Sequence, residues 1–428
     1  MPGTARLELP LFETDTPDRC DLGGLGITFR DSKDLPIHGW YPYVEGFSAA
    51  FIRNRLSGLR SRKGSLYDPF GGSGTVNVEA SHHGVNSSFS ELNPFMRLVA
   101  ETKTSSVIWA RKNMKAVTAV SRQFNAYLAS KHFQSDCLSI DLSAYERAFP
   151  ERDFFEEQHI RELLAAKMAA EDFCGTSKQL YSIILLAISS ELVSCSNMTR
   201  RADLRRRKPG EYKNRIVDVR KSVSSKLTRM ISDITKISGD LSEVNFVSND
   251  ARKLDPIHEG RFDEIITSPP YLNGTNYFRN TKIELWFTGF IESENDLPAF
   301  NASCVACGIN NVSKSKKVSY TNENIQKITS LLKESGGDQR IARLVELYFS
   351  DMHDVVQSCH RYLKKDGAMS LDIGDSKFYG VYVPVDQLLA EMCKELGFEL
   401  IDSVLIARRH SRDKTPLKQV EIILKKVH

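Results

Sequence analysis

No stretch of this chain approaches the ~18 consecutive apolar residues of a membrane span. Its opening, MPGTARLELPLFETDTPD, has no basic segment followed by an apolar core. Neither a membrane protein nor a secreted one is expected, and a cytoplasmic location follows. The eight cysteines are scattered, which argues against a disulfide framework. Cys304 and Cys307 form one CxxC, but no second pair accompanies it, so no metal site is expected. Charge of one sign is in small excess only: the formal net charge is +4. That balance permits a nucleic-acid partner without requiring one. Internal repeats and low-complexity tracts are also missing.

What is present is a chain of 428 residues, 41% hydrophobic and 26% charged, which suits one large globular domain with insertions. Residues 1–36 are polar and proline-punctuated and read as an arm. LYDPF (66–70) and SSFSEL (87–92) carry strand signals, each followed by a helical pattern, which is βαβ punctuation. Residues 108–240 read as entirely helical, with apolar residues at i, i+3, i+4 spacing. The strand pattern resumes in VNFVSND (244–250) and FDEIITSPPY (262–271). A polar stretch without a clear period spans 273–335. A helix, the strand AMSLDIGD, another helix and a terminal antiparallel hairpin close the chain. The expected architecture is α/β: a mostly parallel, Rossmann-like sheet domain formed by 37–107 and 241–428. It is interrupted by a helical insertion (108–240) and an irregular one (273–335).

Four motifs fall at strand ends, where open parallel sheets bind ligands. DPFGGSGT (68–75) places Gly71, Gly72 and Gly74 between a strand and a helix. They allow positive φ and close backbone approach to a nucleotide-like ligand. No Lys follows the last glycine, which excludes a P-loop. Glu91, about 20 residues on, stands where an acid accepts both ribose hydroxyls of a nucleoside. Asp250 can accept from an adenine amino group, and reads equally well as a helix N-cap. In TSPPY (267–271), two prolines fix φ and remove two donors, and Pro269 restricts Ser268. The result is a stiff strand end presenting a hydroxyl, bare carbonyls and an aromatic face. Those are the parts needed to hold a planar base by its amino group. The apolar run FDEIIT just before it argues against an ordinary surface turn.

This set resembles the amino-methyltransferase family of DNA methyltransferases, which modify cytosine N4 or adenine N6. DPFGGSGT is similar to the family's cofactor motif and TSPPY to its catalytic motif. IHGWYPYVEGF (37–47) resembles the segment that packs over the methionine part of the cofactor. Pro42, Tyr43 and Phe47 match that segment, whereas Glu45 and Gly46 depart from it. The likeness covers about 37–105 and 244–425, and the motif order differs from that of many Ser-Pro-Pro-Tyr members.

The resemblance implies S-adenosylmethionine as cofactor. It would be held by Tyr43, Phe47, Asp68, Phe70, Gly71, Gly72, Gly74, Thr75, Glu91, Asn93, Asp250 and Ala251. The same resemblance implies that Ser268, Pro269, Pro270 and Tyr271 act on the base. The Ser268 hydroxyl and Pro269 carbonyl would take the two amino protons while Tyr271 stacks. Ser268 in the first position fits cytosine N4, where adenine enzymes usually carry Asp or Asn. Adenine N6, an RNA base, or a degenerate non-catalytic subunit are the competing readings. No cysteine follows a proline, so the nucleophile of cytosine-C5 enzymes is missing. A duplex substrate would require base flipping. The run 200–221 holds ten Lys/Arg against three acids; within it Arg205, Arg206, Arg207 and Lys208 are expected to contact DNA phosphates. A restriction endonuclease is the natural companion of such an enzyme.

Overall fold

The β-forming runs, rich in Ile, Val, Leu, Phe and Tyr, pair into one seven-stranded sheet. The computed structural model describes residues 32–42, 46–58, 64–200, 203–212, 215–274, 276–313, 315–411 and 413–428. The main strands are β1 (Ser65–Asp68), β2 (Asn86–Ser90), β3 (Val244–Ser248), β4 (Phe262–Thr267), β5 (Leu363–Gly374), β6 (Phe398–His410) and β7 (Pro416–Lys426). Their spatial order is β6-β7-β5-β4-β1-β2-β3. The pairs β4–β1, β1–β2, β2–β3 and β5–β4 are parallel, and β7 lies antiparallel between β5 and β6. This is a Rossmann-like α/β fold with a terminal antiparallel hairpin. The chain runs outward from β1 in one direction and from β4 in the other, so a crevice opens where β1 and β4 end.

Helices α1 (Ala49–Ser57) and α2 (Thr75–His82) lie before and after β1; α3 (Pro94–Glu101) follows β2. Behind the other half of the sheet pack α4 (Arg340–Tyr362) and α5 (Val385–Glu395), which share a core with Ile265, Met369, Leu371 and Ile422. A half-buried ion pair joins α1 to the sheet: Arg55 meets the buried Glu421, which also accepts from the Ser370 hydroxyl.

After α3 the chain widens into one π-helical turn, Thr102–Ser106. That turn directs Lys103 into the protein, where Nζ donates to the carbonyls of His38 (3.1 Å) and Tyr41 (3.2 Å). Burial lowers the Lys103 pKa to about 7. The Trp40 indole N–H donates to Asp233 at 2.8 Å. The segment leading to residue 42 is thereby pinned from both sides.

The first insertion is built on helices Met114–Leu128, Glu157–Cys174, Lys178–Ser189 and Val219–Lys236. Its core is continuous with Trp40, Tyr41, Phe95 and Met96. Reading it as wholly helical needs one correction. Met198–Arg200 and Leu204–Arg206 form a two-stranded antiparallel ladder. The arginine-rich strands are too short to show a period of two, so propensity could not reveal them. The second insertion is more regular than its polar sequence suggests. It contains helices Tyr277–Asn280, Lys282–Phe287, Leu297–Ser303 and Glu323–Glu334.

Candidate functional site

The turn after β1 is shaped by a buried carboxylate. Asp68 Oδ1 accepts from the Phe70 amide (3.0 Å) and from the Thr267 hydroxyl (2.7 Å), which ties the ends of β1 and β4 together at the crevice. Burial raises the Asp68 pKa to about 7. The glycines that follow have separate reasons. A Cβ on Gly71 would lie 2.7 Å from the Phe89 ring. Gly74 has φ 80, and a Cβ there would press on Ala100 at 3.0 Å. Gly72 has φ 50 and points its amide at Glu91 Oε2, 2.7 Å away.

Glu91 lies just past β2. Its second oxygen accepts from the Asn93 amide at 2.8 Å, and burial raises its pKa to about 7. Asn93 itself is largely committed elsewhere. Its Oδ1 caps α3 through the Phe95 and Met96 amides, and its Nδ2 donates to Thr281 at 2.8 Å.

Asp250 follows β3 and is gripped by Arg252 through Nε (2.8 Å) and Nη2 (3.1 Å). Burial pushes its carboxyl upward, but the hydrogen bonds and charge of Arg252 outweigh this and leave it below the usual carboxylate range. Arg252 also reaches Asp351 and the Ser303 carbonyl. Asp250 is therefore no simple helix cap; it anchors the second insertion to the sheet.

These pieces line one cavity in the crevice. The glycine turn contributes Asp68, Phe70, Gly71, Gly72 and Thr75, and the ends of β2 and β3 contribute Glu91, Asn93, Asp250 and Ala251. Phe47, stacked on Phe51 at 5.3 Å, closes one side. Ser268 and Pro270 reach the same space from the end of β4. Gly74, Pro269 and Tyr271 do not line it. Tyr43 lies outside the described residues.

Tyr271 sits behind the cavity wall. Its hydroxyl faces the Ser268 hydroxyl and the carboxylate of Asp372, and Arg409 lies 5.5 Å from its ring centre. The Ser268 hydroxyl also has the Asp372 carbonyl at 3.4 Å. Asp372 is buried at the end of β5, where Gln419 donates to both its oxygens at 2.9 and 3.0 Å. Burial raises its pKa to about 6.

Sequence reasoning missed Asp372, and it missed Ser73, Arg200 and Tyr277. Ser73 is buried in the cavity wall, and its hydroxyl has no partner among the described residues. Its place inside the glycine motif was the available signal. Arg200 and Tyr277 come to the cavity wall from the two insertions, where no local pattern marked them. Cys304 and Cys307 also border the cavity, and Cys304 donates to the Phe300 carbonyl.

The expected phosphate contacts lie apart from this cavity. Arg205 forms a two-pronged pair with Glu211 at 2.8 Å, and Arg206 pairs with Asp153. The Arg207 Nε is buried with no partner among the described residues, and the Lys208 amide donates to Glu211.

No protein-family model matches the chain. The type II methyltransferase M.BsoBI of Geobacillus stearothermophilus is 22% identical over 90% of this chain and 82% of its own length. The type II methyltransferase M.AvaI of Nostoc sp. is also 22% identical, over 89% of this chain and 82% of its own. A crystal structure of a SAM-dependent methyltransferase from Methanosarcina mazei covers 87% of this chain and 97% of its own at 9% identity. Its TM-score of 0.29 is too low to bear on the site.

Proposed function

We propose that this protein transfers a methyl group from S-adenosylmethionine to the exocyclic N4 of cytosine in DNA. One observation carries this reading. The glycine turn, Glu91, Ser268 and Pro270, distant in sequence, line the same cavity in the β1/β4 crevice. The similarity to type II methyltransferases along nine-tenths of the chain supports methyl transfer and a DNA substrate.

The residues present suit the cofactor. Backbone at Gly71 and Gly72 comes close to the cavity with no side chain in the way. Glu91 offers carboxylate oxygens for ribose hydroxyls, Ser73 a hydroxyl with no partner among the described residues, and Phe47 an aromatic wall. When bound, the cofactor supplies a methyl group on a positively charged sulfonium.

The base amine is a poor nucleophile because its lone pair is delocalised into the ring. A hydrogen bond from one of its protons to the Ser268 hydroxyl, which lines the cavity, favours a localised lone pair. Positive charge builds on the amine as the methyl group transfers. Ionised Asp372, whose backbone carbonyl lies 3.4 Å from the Ser268 hydroxyl, places negative charge behind the motif. Tyr271, packed against Arg409 and Asp372 behind the cavity wall, stiffens the motif from behind and does not itself reach the cavity where the base would sit. A base in a duplex reaches this crevice only after leaving the stack.

The assignment to cytosine rests on Ser268. In DNA modified by this protein in a methylation-free host, nucleoside mass spectrometry is expected to find N4-methylcytosine. N6-methyladenine alone would sink the choice of base and keep the fold and cofactor. Methylated RNA beside unmodified DNA would sink the substrate class.

Ser268→Ala separates chemistry from binding. Cofactor affinity is expected to hold while the single-turnover rate falls tenfold to a hundredfold, about 1.4–2.7 kcal/mol of transition-state stabilisation. A wild-type rate would remove Ser268 from the mechanism.

A further inference from the structure

Beside the cavity runs a second, polar groove, walled by both insertions and lined by Arg152, Arg206, Arg279, Asn276, Asn301 and Asn310 among others. We propose that duplex DNA lies along this groove and that its base edges are read there. The inference rests on the reading of the protein as a DNA-base methyltransferase and names the surface that gives it sequence specificity.

The two spaces share their walls. In the ladder of the first insertion, Arg200 faces the cavity while Arg206 lines the groove. In helix Tyr277–Asn280 of the second, Tyr277 and Asn280 face the cavity while Arg279 lines the groove. A single layer separates them. It is sewn by Arg200 donating to the Asn280 carbonyl (2.6 and 3.1 Å) and the Leu204 amide donating to Asn280 Oδ1 (2.7 Å). A base that leaves its stack travels about the width of one DNA groove, on the order of 12 Å. The duplex must therefore lie against a surface adjoining the cavity, as this groove does.

Its chemistry is that of base reading more than of phosphate gripping. Guanidinium forks match the acceptor pair of guanine, and amides match the donor–acceptor pair of adenine. Asn301 Oδ1 is buried with no partner among the described residues. The cations are already matched: Arg279 with Asp203 at 3.8 Å, Arg152 with Glu294 at 3.9 Å, and Arg206 with Asp153. The three arginines are exposed, so the pairs add little and exchange partners readily. The carboxylates hold the forks in place and cancel much of the groove's charge. That cancellation suppresses indiscriminate attraction to phosphate and leaves the contact dependent on the bases presented.

The test starts by fixing the target. Plasmid DNA modified by the wild type is sequenced for the methylated base, which defines the cognate site. Arg279→Ala and Asn310→Ala, both at exposed positions, are then assayed on the cognate duplex and on duplexes with one base pair changed. Methylation of the cognate duplex is expected to slow tenfold to a hundredfold. Discrimination against at least one changed pair should fall by a similar factor, with S-adenosylmethionine affinity unchanged by calorimetry. Discrimination equal to wild type in both variants overturns the proposal, whether their rates are unchanged or are uniformly lower on every duplex. A wild type that leaves all DNA unmodified overturns the functional reading and this inference together, and the wild-type reaction alone tells that failure apart.

Discussion

A Gly72→Asp variant titrated calorimetrically with S-adenosylmethionine is expected to show no measurable binding, a loss of more than about a hundredfold in affinity. Gly72 sits in the cavity wall at φ 50, a left-handed conformation that Asp tolerates better than most side chains. The variant is therefore expected to fold. Its new carboxylate would project where backbone must approach the ligand. It would also bring negative charge beside Glu91, whose Oε2 lies 2.7 Å from the Gly72 amide. Glu91 is buried enough to hold a pKa of about 7, so a second acid nearby would drive it further toward the neutral form. A neutral carboxyl is a weaker acceptor for ribose hydroxyls. Steric and electrostatic effects act in the same direction. Undiminished affinity in a folded variant would place the cofactor elsewhere.

Asp372→Asn is expected to lower the single-turnover rate about a hundredfold at neutral pH, close to 2.7 kcal/mol, with cofactor affinity intact. The substitution keeps the size and removes the charge, with the loss of one of the two hydrogen bonds from Gln419. Burial raises the Asp372 pKa to about 6, so the group is mostly ionised at pH 7 and mostly neutral at pH 5. If its charge stabilises the developing cation, the wild-type rate at saturating cofactor must climb as pH rises through about 6. The variant must lose that climb. A wild-type pH profile in the variant would leave Asp372 as a structural support for Tyr271 only. The same burial has a stability consequence of opposite sense. A carboxyl whose folded pKa lies above its unfolded value contributes stability below the unfolded value, and that contribution is lost as pH rises through the folded one. Asp68, Glu91 and Asp372 all belong to this class, so ionising them as pH rises through about 6 to 7 costs the fold stability.

Features that depend on neighbours along the chain are legible in the sequence. Short apolar runs broken by glycine or proline mark the main strands, because strand pairing buries such runs and leaves turns at their ends. DPFGGSGT and TSPPY read as site motifs because the backbone constraint lies in consecutive residues. Glycine supplies positive φ at positions 72 and 74, and proline rigidity lies at 269 and 270. The arginine-rich ladder at 198–206 escapes such a reading because three-residue strands carry too little pattern to compete with the helices around them.

The sequence by itself determined the α/β class, the strand-end placement of the glycine turn and of Glu91, Asp250 and Ser268, and the stiffness of the Ser-Pro-Pro end. Each is local, set by dihedral preference and alternating burial over a few residues. Only the tertiary structure decided which distant groups complete the site. Asp372 reaches Ser268 across 104 positions because β5 pairs with β4. Arg200 reaches Glu284 across 84 because two insertions meet over the cavity. Arg205 and Arg206, free cations in a linear reading, find Glu211 and Asp153. Such partners are chosen by packing and by the need to neutralise charge as it is drawn out of water, and that choice is made in space rather than along the chain.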